Sequence, residues 1–135
     1  MRKSFSTLIL LSLAPILFWS CTSSRARLLE SEESQVKIRQ IQTRSFDTTD
    51  KPKMLRATIS TLQDLGFIID KADNELATVS ATKLDGYQLK MTVSVRAKGA
   101  TQLMVRANAQ IGLRAIEEPA PYQNFFNSLS KALFL

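Results

Sequence analysis

The side chains that could do chemistry in this sequence are few and of restricted type. An acid–base pair would have to be drawn from Asp47, Asp50, Asp64, Asp70, Asp73, Asp85, Glu117 and Glu118. Nearly all of these fall in expected turns or at expected helix ends, where solvation or capping accounts for a carboxylate. The chain has no His, which removes serine-triad and Cys–His catalysis as usually built, together with the commonest metal ligand. Its one Cys excludes an internal disulfide and a Cys-rich zinc site. Ser128-Leu129-Ser130-Lys131 places a Ser and a Lys three apart, on a segment whose apolar stripe already explains it. There is no P-loop and no Gly-x-Gly-x-x-Gly run, and the 4 Gly each stand at a turn or an element end. The expectation is a protein that is not an enzyme and that uses neither cofactor nor metal.

Binding chemistry is better supplied. Lys90, Thr92, Ser94 and Arg96 occupy alternate positions of one segment, and Met104, Arg106, Asn108 and Gln110 alternate positions of the next. The residues between them are apolar: Tyr87, Leu89, Met91, Val93, Val95 and Ala97 in the first, Leu103, Val105, Ala107, Ala109 and Ile111 in the second. This period of two predicts antiparallel strands with one buried and one wet face. Lys98-Gly99-Ala100-Thr101 is the turn between them. Ala77, Val79 and Ala81 alternate with Thr78, Ser80 and Thr82 in a third strand, which extends the wet face, and Gln40, Gln42 and Arg44 are expected to join it from the first strand. The face so defined carries positive charge, hydroxyls and amides. Lys90, Ser94, Arg96, Met104, Arg106 and Asn108 are its candidate binding residues, with Met104 the apolar member suited to a protein contact.

Two helices complete the pattern. Thr49 or Asp50 can cap the first, Pro52 lies in its first turn, and Gly66 follows its end. Leu55, Ile59 and Leu62 form its stripe, flanked by Met54, Thr58 and Leu65. The second begins after Glu117-Glu118-Pro119-Ala120-Pro121 and aligns Tyr122, Phe125, Phe126, Leu129 and Leu133. Core packing on a sheet accounts for that aromatic stripe. Between them, Phe67-Ile68-Ile69 starts a strand that Asp73-Asn74-Glu75 ends. The alternation of Val36 and Ile38 predicts a first strand from Val36, its phase broken at Ile41 as by a β-bulge and closed by Phe46. The expected fold is α+β in the order β-α-β-β-β-β-α, an antiparallel sheet with both helices packed on one face.

Length and composition agree with this. A chain of 135 residues, 44% apolar and 22% charged, is one domain of ordinary size and not a disordered chain. Its first twenty residues read as a targeting segment. Arg2 and Lys3 are a positive start, and Leu8 to Trp19 is an apolar run broken by Ser12 and Pro15. That run is short of the ~20 residues a spanning helix needs and fits a secretory signal. Ser20 before Cys21 resembles the bacterial lipobox, in which the Cys is lipidated and becomes the mature N-terminus. Phe18 and Trp19 stand where that signal usually has an aliphatic and a small residue. Thr22 after the Cys, rather than Asp, resembles lipoproteins sent to the outer membrane. The expected division is a signal peptide over 1–20, lipidated Cys21 with a polar tether over 21–35, which could also form a short helix, and one α+β domain over 36–135. Cleavage would lower the formal charge of +6 by the two of Arg2 and Lys3. The remaining charge is mild and lacks the dense basic stripe of a nucleic-acid binder.

Met54-Leu55-Arg56-Ala57, Leu62-Gln63-Asp64-Leu65-Gly66-Phe67 and Ile69-Asp70, in their strand–helix–strand setting, resemble a widespread group of small bacterial lipoproteins. Residues 36–135 are also similar to the repeated domain of the C lipoprotein of the outer-membrane β-barrel assembly machine. That resemblance implies a helix-grip shape, with a terminal helix across an antiparallel sheet, and brings no catalytic residues with it. The expected function is that of an accessory or binding subunit of an outer-membrane assembly or transport complex, facing the periplasm. Its expected partners are the membrane, through the lipid anchor, and an envelope protein. The alternative is a binder of anionic envelope lipid or glycan through the same sheet face. Nucleic acid is not an expected partner.

Overall fold

The computed structural model describes residues 22–134; the expected signal segment and Cys21 lie outside them. The described residues divide into two units at Val36. A helix, α1 (Thr22–Ile41), runs from the first into the second. Ala26, Arg25, Arg27, Leu28, Leu29 and Glu30 are strong helix formers, and no Gly or Pro occurs between Cys21 and Pro52. The strand expected from Val36 is therefore corrected to helix: Ile38 and Ile41 are half-buried and Gln42 is buried. These three positions are spaced i, i+3, i+4, a helical face that a short apolar alternation also fits.

The second unit is the α+β fold. β1 (Thr43–Phe46) lies at one edge of the sheet, α2 (Lys51–Asp64) crosses the face, and β2 (Ile68–Asp73) forms the other edge. The chain then returns as an antiparallel meander, β3 (Thr78–Leu84), β4 (Gln88–Lys98) and β5 (Gln102–Ile111), until β5 meets β1. A two-residue strand, β6 (Arg114–Ala115), pairs with the end of β5, and α3 (Pro119–Phe134) closes the domain. The observed order adds α1 and β6 to the expected one.

Asp50 caps α2, its Oδ1 accepting the Lys53 N–H at 2.9 Å, with Pro52 in the first turn. Gly66, at φ 83°, takes the left-handed position after the helix. The buried side of α2 is Met54, Leu55, Thr58, Thr61 and Leu62, with Ile59 and Leu65 half-buried at its margin. Tyr122, Phe125, Phe126 and Leu129 of α3 complete the same layer. Phe125 and Phe126 meet edge to face, centroids 5.2 Å apart. Beneath them lie Val79, Ala81, Met91, Val93, Val95, Leu103, Val105, Ala107 and Ala109, all from one face of the sheet. Both helices thus cover that face. Burial of each large side chain contributes about 1.5–3 kcal/mol.

Thr58 Oγ1 donates to the Met54 carbonyl at 2.9 Å, whereas Thr61 Oγ1, also buried, has no hydrogen-bond partner. A buried hydroxyl without a partner is destabilising. Thr61→Val is therefore expected to leave stability unchanged or to raise it by up to about 1 kcal/mol. Urea unfolding of the variant beside wild type checks this, and a clear loss of stability would refute it.

Candidate functional site

The face opposite the helices is built by register. Ser94 pairs with Arg106 on one side and Thr78 on the other, and Arg106 pairs in turn with Thr43. In the next row Arg96 pairs with Met104, which pairs with Ser45. On the other side Thr92 pairs with Asn108 and Ser80, and beyond that Lys90 pairs with Gln110 and Thr82. All six candidate binding residues therefore share one surface. Lys90, Arg96, Arg106 and Asn108 are exposed, and Ser94 and Met104 are half-buried between longer neighbours.

Three residues expected on this face stand elsewhere. Gln40 lies in α1, and Gln42 and Arg44 belong to the helix side. The β1–β5 register pairs odd positions with even ones, such as Thr43 with Arg106 and Arg44 with Val105. The even residues of β1 therefore point at the core. Arg44 there lies with its guanidinium 5.0 Å from the Phe126 ring centre, and its Nη1 donates to Asn127 Oδ1 at 3.4 Å and to Ser130 Oγ at 3.5 Å. Thr43 and Ser45 take the places on the wet face, and Lys98 Nζ donates to Ser45 Oγ at 2.9 Å. No signal along the sequence could have found them, because strand parity across a pair is a property of register.

β2 adds what the expected face lacked. Its pairing changes register between Ile69 and Lys71, leaving Asp70 at the irregularity, where it accepts the Thr82 hydroxyl at 2.7 Å. Lys71 and Asp73 lie opposite Ser80 and Thr78. The face is thus basic over β4 and β5 and mixed along the β2 margin. Its hydroxyls are partly engaged with one another, as at Ser80 and Thr92, 3.3 Å apart.

Gln42 takes part in a second polar arrangement. β1 pairs with β5 as far as Arg106, the Ala107 N–H reaches the Gln42 carbonyl, and β6 takes up the pairing at Gln110. Between them the Ala109 N–H donates to the Tyr122 hydroxyl at 3.3 Å. That hydroxyl also accepts from Gln42 Nε2 at 3.3 Å and donates to the Ile116 carbonyl at 2.7 Å, while the Ile116 N–H donates to the Ala109 carbonyl. One phenol oxygen therefore satisfies the stretch of strand edge that neither neighbouring strand reaches, as buried backbone requires.

Of the carboxylates weighed as acid–base candidates, Asp47 and Asp50 line one groove and Glu117 and Glu118 another, and several have a hydrogen-bonding role. Asp50 caps α2, Asp73 accepts the Leu76 N–H at 2.9 Å, Asp70 holds Thr82 and Asp47 accepts from Gln102. Ser130 Oγ donates to the Phe126 carbonyl at 2.8 Å. Among the described residues no group of three or more Cys, Asp or Glu side chains is placed to hold a metal ion, and no helix is long and apolar enough to cross a membrane. The helix side has a groove of about 210 Å³ beside Phe67, Leu89 and Pro121, and another of about 500 Å³ beside Arg44, Phe46 and Leu133. Compared with the models of known protein families the chain matches none, and no curated protein matches it significantly.

Proposed function

We propose that this chain is a lipoprotein of the bacterial outer membrane, anchored at Cys21 and facing the periplasm, with a domain that binds rather than catalyses. Its role in this reading is that of an accessory subunit, docking a protein of an envelope assembly or transport complex on the exposed sheet face. The observation that carries the reading is the register itself. Rows from β1 to β3 put Arg96, Arg106, Ser94 and Met104 together on a surface that neither α2 nor α3 covers. Half-buried Met104 supplies an apolar centre and the two Arg a cationic surround, the composition of a protein-docking patch.

The test is photo-crosslinking in native membranes with a reactive amino acid in place of Ser94, followed by mass spectrometry. A discrete protein adduct is expected, and it would name the complex. Lipid adducts alone would transfer the face to the second reading, and no adduct beyond that of a helix-side control would remove the face from the function altogether. The second reading is binding of phosphate-bearing envelope lipid or glycan. One feature favours it: Arg96 and Arg106 are diagonal neighbours, since Arg96 pairs with Met104 and Ser94 with Arg106, a spacing that lets two guanidinium groups approach one phosphate. Phosphate binding of this kind weakens steeply with salt, and a packed protein contact does so less.

The anchor has its own check. Cys21→Ser is expected to abolish lipid-anchored membrane association and to leave the chain as a precursor, read by fractionation and by migration on a gel. Behaviour identical to wild type would refute lipidation.

A further inference from the structure

We infer that the β2 edge of the sheet is a self-association surface, on which a second copy of this chain pairs its own β2 antiparallel about a two-fold axis between Asp70 and Lys71. The inference rests neither on lipidation at Cys21 nor on the role assigned to the sheet face.

The first observation is an open edge. β2 (Ile68–Asp73) bonds to β3 on one side and to no described strand on the other. Ile68, Asp70, Lys71 and Ala72 are exposed along it, Ile68 by 68%. Such an edge presents backbone donors and acceptors to a strand that fits it.

The second observation decides what fits. Ile68 pairs with Thr82 and Lys71 with Ser80, which belong to the polar face, whereas Ile69 pairs with Ala81 and Ala72 with Val79, which belong to the core. Asp70 has no opposite residue on β3, and its carboxylate accepts the Thr82 hydroxyl. Asp70 and Lys71 therefore lie consecutively on the polar face, as the two residues of a bulge do. A regular strand laid along this edge must leave one of them unopposed, as β3 does. A second copy carries its extra residue at the same place. With the two-fold between Asp70 and Lys71, Ile68 faces Asp73 of the second copy, Ile69 faces Ala72 and Asp70 faces Lys71. All 6 residues of the strand are then opposed, polar face to polar face and helix face to helix face.

Charge selects the same register. Asp70 meets Lys71 on both sides of the axis, and opposite charges directly across a strand pair attract. Sliding by one residue either way sets Asp70 against Asp70 or Lys71 against Lys71, and opposes polar-face positions to core-face ones. The Thr82 hydroxyl occupies Oδ2 of Asp70, which leaves Oδ1 for the ammonium group. Bulges and charges on an edge deter indiscriminate pairing; here they disfavour other registers and admit this one. At the other edge, β1 offers Arg44 and no acidic residue for a second copy to set against it.

The test is sedimentation of the full chain in detergent solution, for wild type, Asp70→Lys, Lys71→Asp and an equimolar mixture of the two variants. Wild type is expected to dimerise. Each single variant, with only like charges around the axis, is expected to associate at least about tenfold more weakly. In the mixture every Lys of one variant meets an Asp of the other, so association should return to within about threefold of wild type. Misfolded variants would not recover on mixing. Amide hydrogen exchange should also slow across β2 in the dimer relative to either variant alone. Wild type that stays monomeric at about 0.1 mM overturns the inference. So do single variants that dimerise as wild type does, a mixture that does not recover, or a dimer whose β2 amides exchange as in the variants. Since the reading of the sheet face is tested at position 94, either can fail without the other.

Discussion

Tyr122→Phe is expected to destabilise the domain by about 2–3 kcal/mol, although it removes a single oxygen and leaves the ring in the core. The physical reason lies in what the oxygen serves. The Ala109 N–H, the Ile116 carbonyl and the Gln42 amide all meet it, and Phe would leave them without that partner. Tyr122 is itself fully buried, and water can restore the lost bonds only where the strand edge opens. In a domain of about a hundred residues, a change of that size lowers Tm by roughly 10–20 °C. Hydrogen exchange should show the origin, with protection lost first at Ala109 and Ile116 and kept on the paired amides of β4. A variant within about 0.5 kcal/mol of wild type, with Ala109 still protected, would falsify the assignment of Tyr122 as the closure of this edge.

The second large effect is expected in binding. Arg96→Glu combined with Arg106→Glu should leave the fold intact, because both side chains are exposed and neither is packed into the core. Surface changes of this kind usually stay within about 0.5 kcal/mol. Against an acidic partner, however, two attractive contacts become two repulsive ones, and like-charge contacts across an interface cost several kcal/mol. Protein adducts at position 94 are expected to fall by at least about tenfold, with unchanged unfolding behaviour as the control. An undiminished adduct would show that these guanidinium groups are bystanders. Met104→Ala separates the two ligand classes, since it should weaken a packed protein contact and leave phosphate binding nearly untouched.

Tyr122 and the Arg96–Arg106 pair differ in how far the sequence showed them. Arg96 and Arg106 were legible because β4 and β5 are long and strictly alternating, so each residue's face follows from its place in the strand. The two covering helices were legible for a similar reason: cap, stripe and stop coincide at Asp50, Leu62 and Gly66, and the aromatic stripe of α3 is wide. Tyr122 was readable as a core residue, but nothing in its neighbourhood along the chain identified its hydroxyl as the closure of a strand edge. Its partners are as far as 80 residues away.

The N-terminal side shows where local pattern fails. From Val36 to Ile41 the apolar spacing suits a strand and a helix about equally. The outcome followed from a run free of Gly and Pro and from the burial of Gln42 against Tyr122. Ala97 and Ile111 kept the expected parity but remain exposed, and Tyr87, expected to open the strand, lies in the turn before it. Alternation says which way a side chain points, whereas the reach of the helices decides whether anything covers it.

What the sequence by itself determined is therefore the set of local preferences: an α+β composition of elements, a helix-covered face and a polar face on the central strands. What only the tertiary structure decided is the parity between strands. One pairing, Thr43 with Arg106, turned Arg44 into the core and put Thr43 and Ser45 outside. Another, with its irregularity at Asp70, brought acidic residues to the margin of a basic surface. The reason is that a side chain's face within a strand is set by backbone geometry over two residues, while the match between strands is set by the burial of the whole sheet at once.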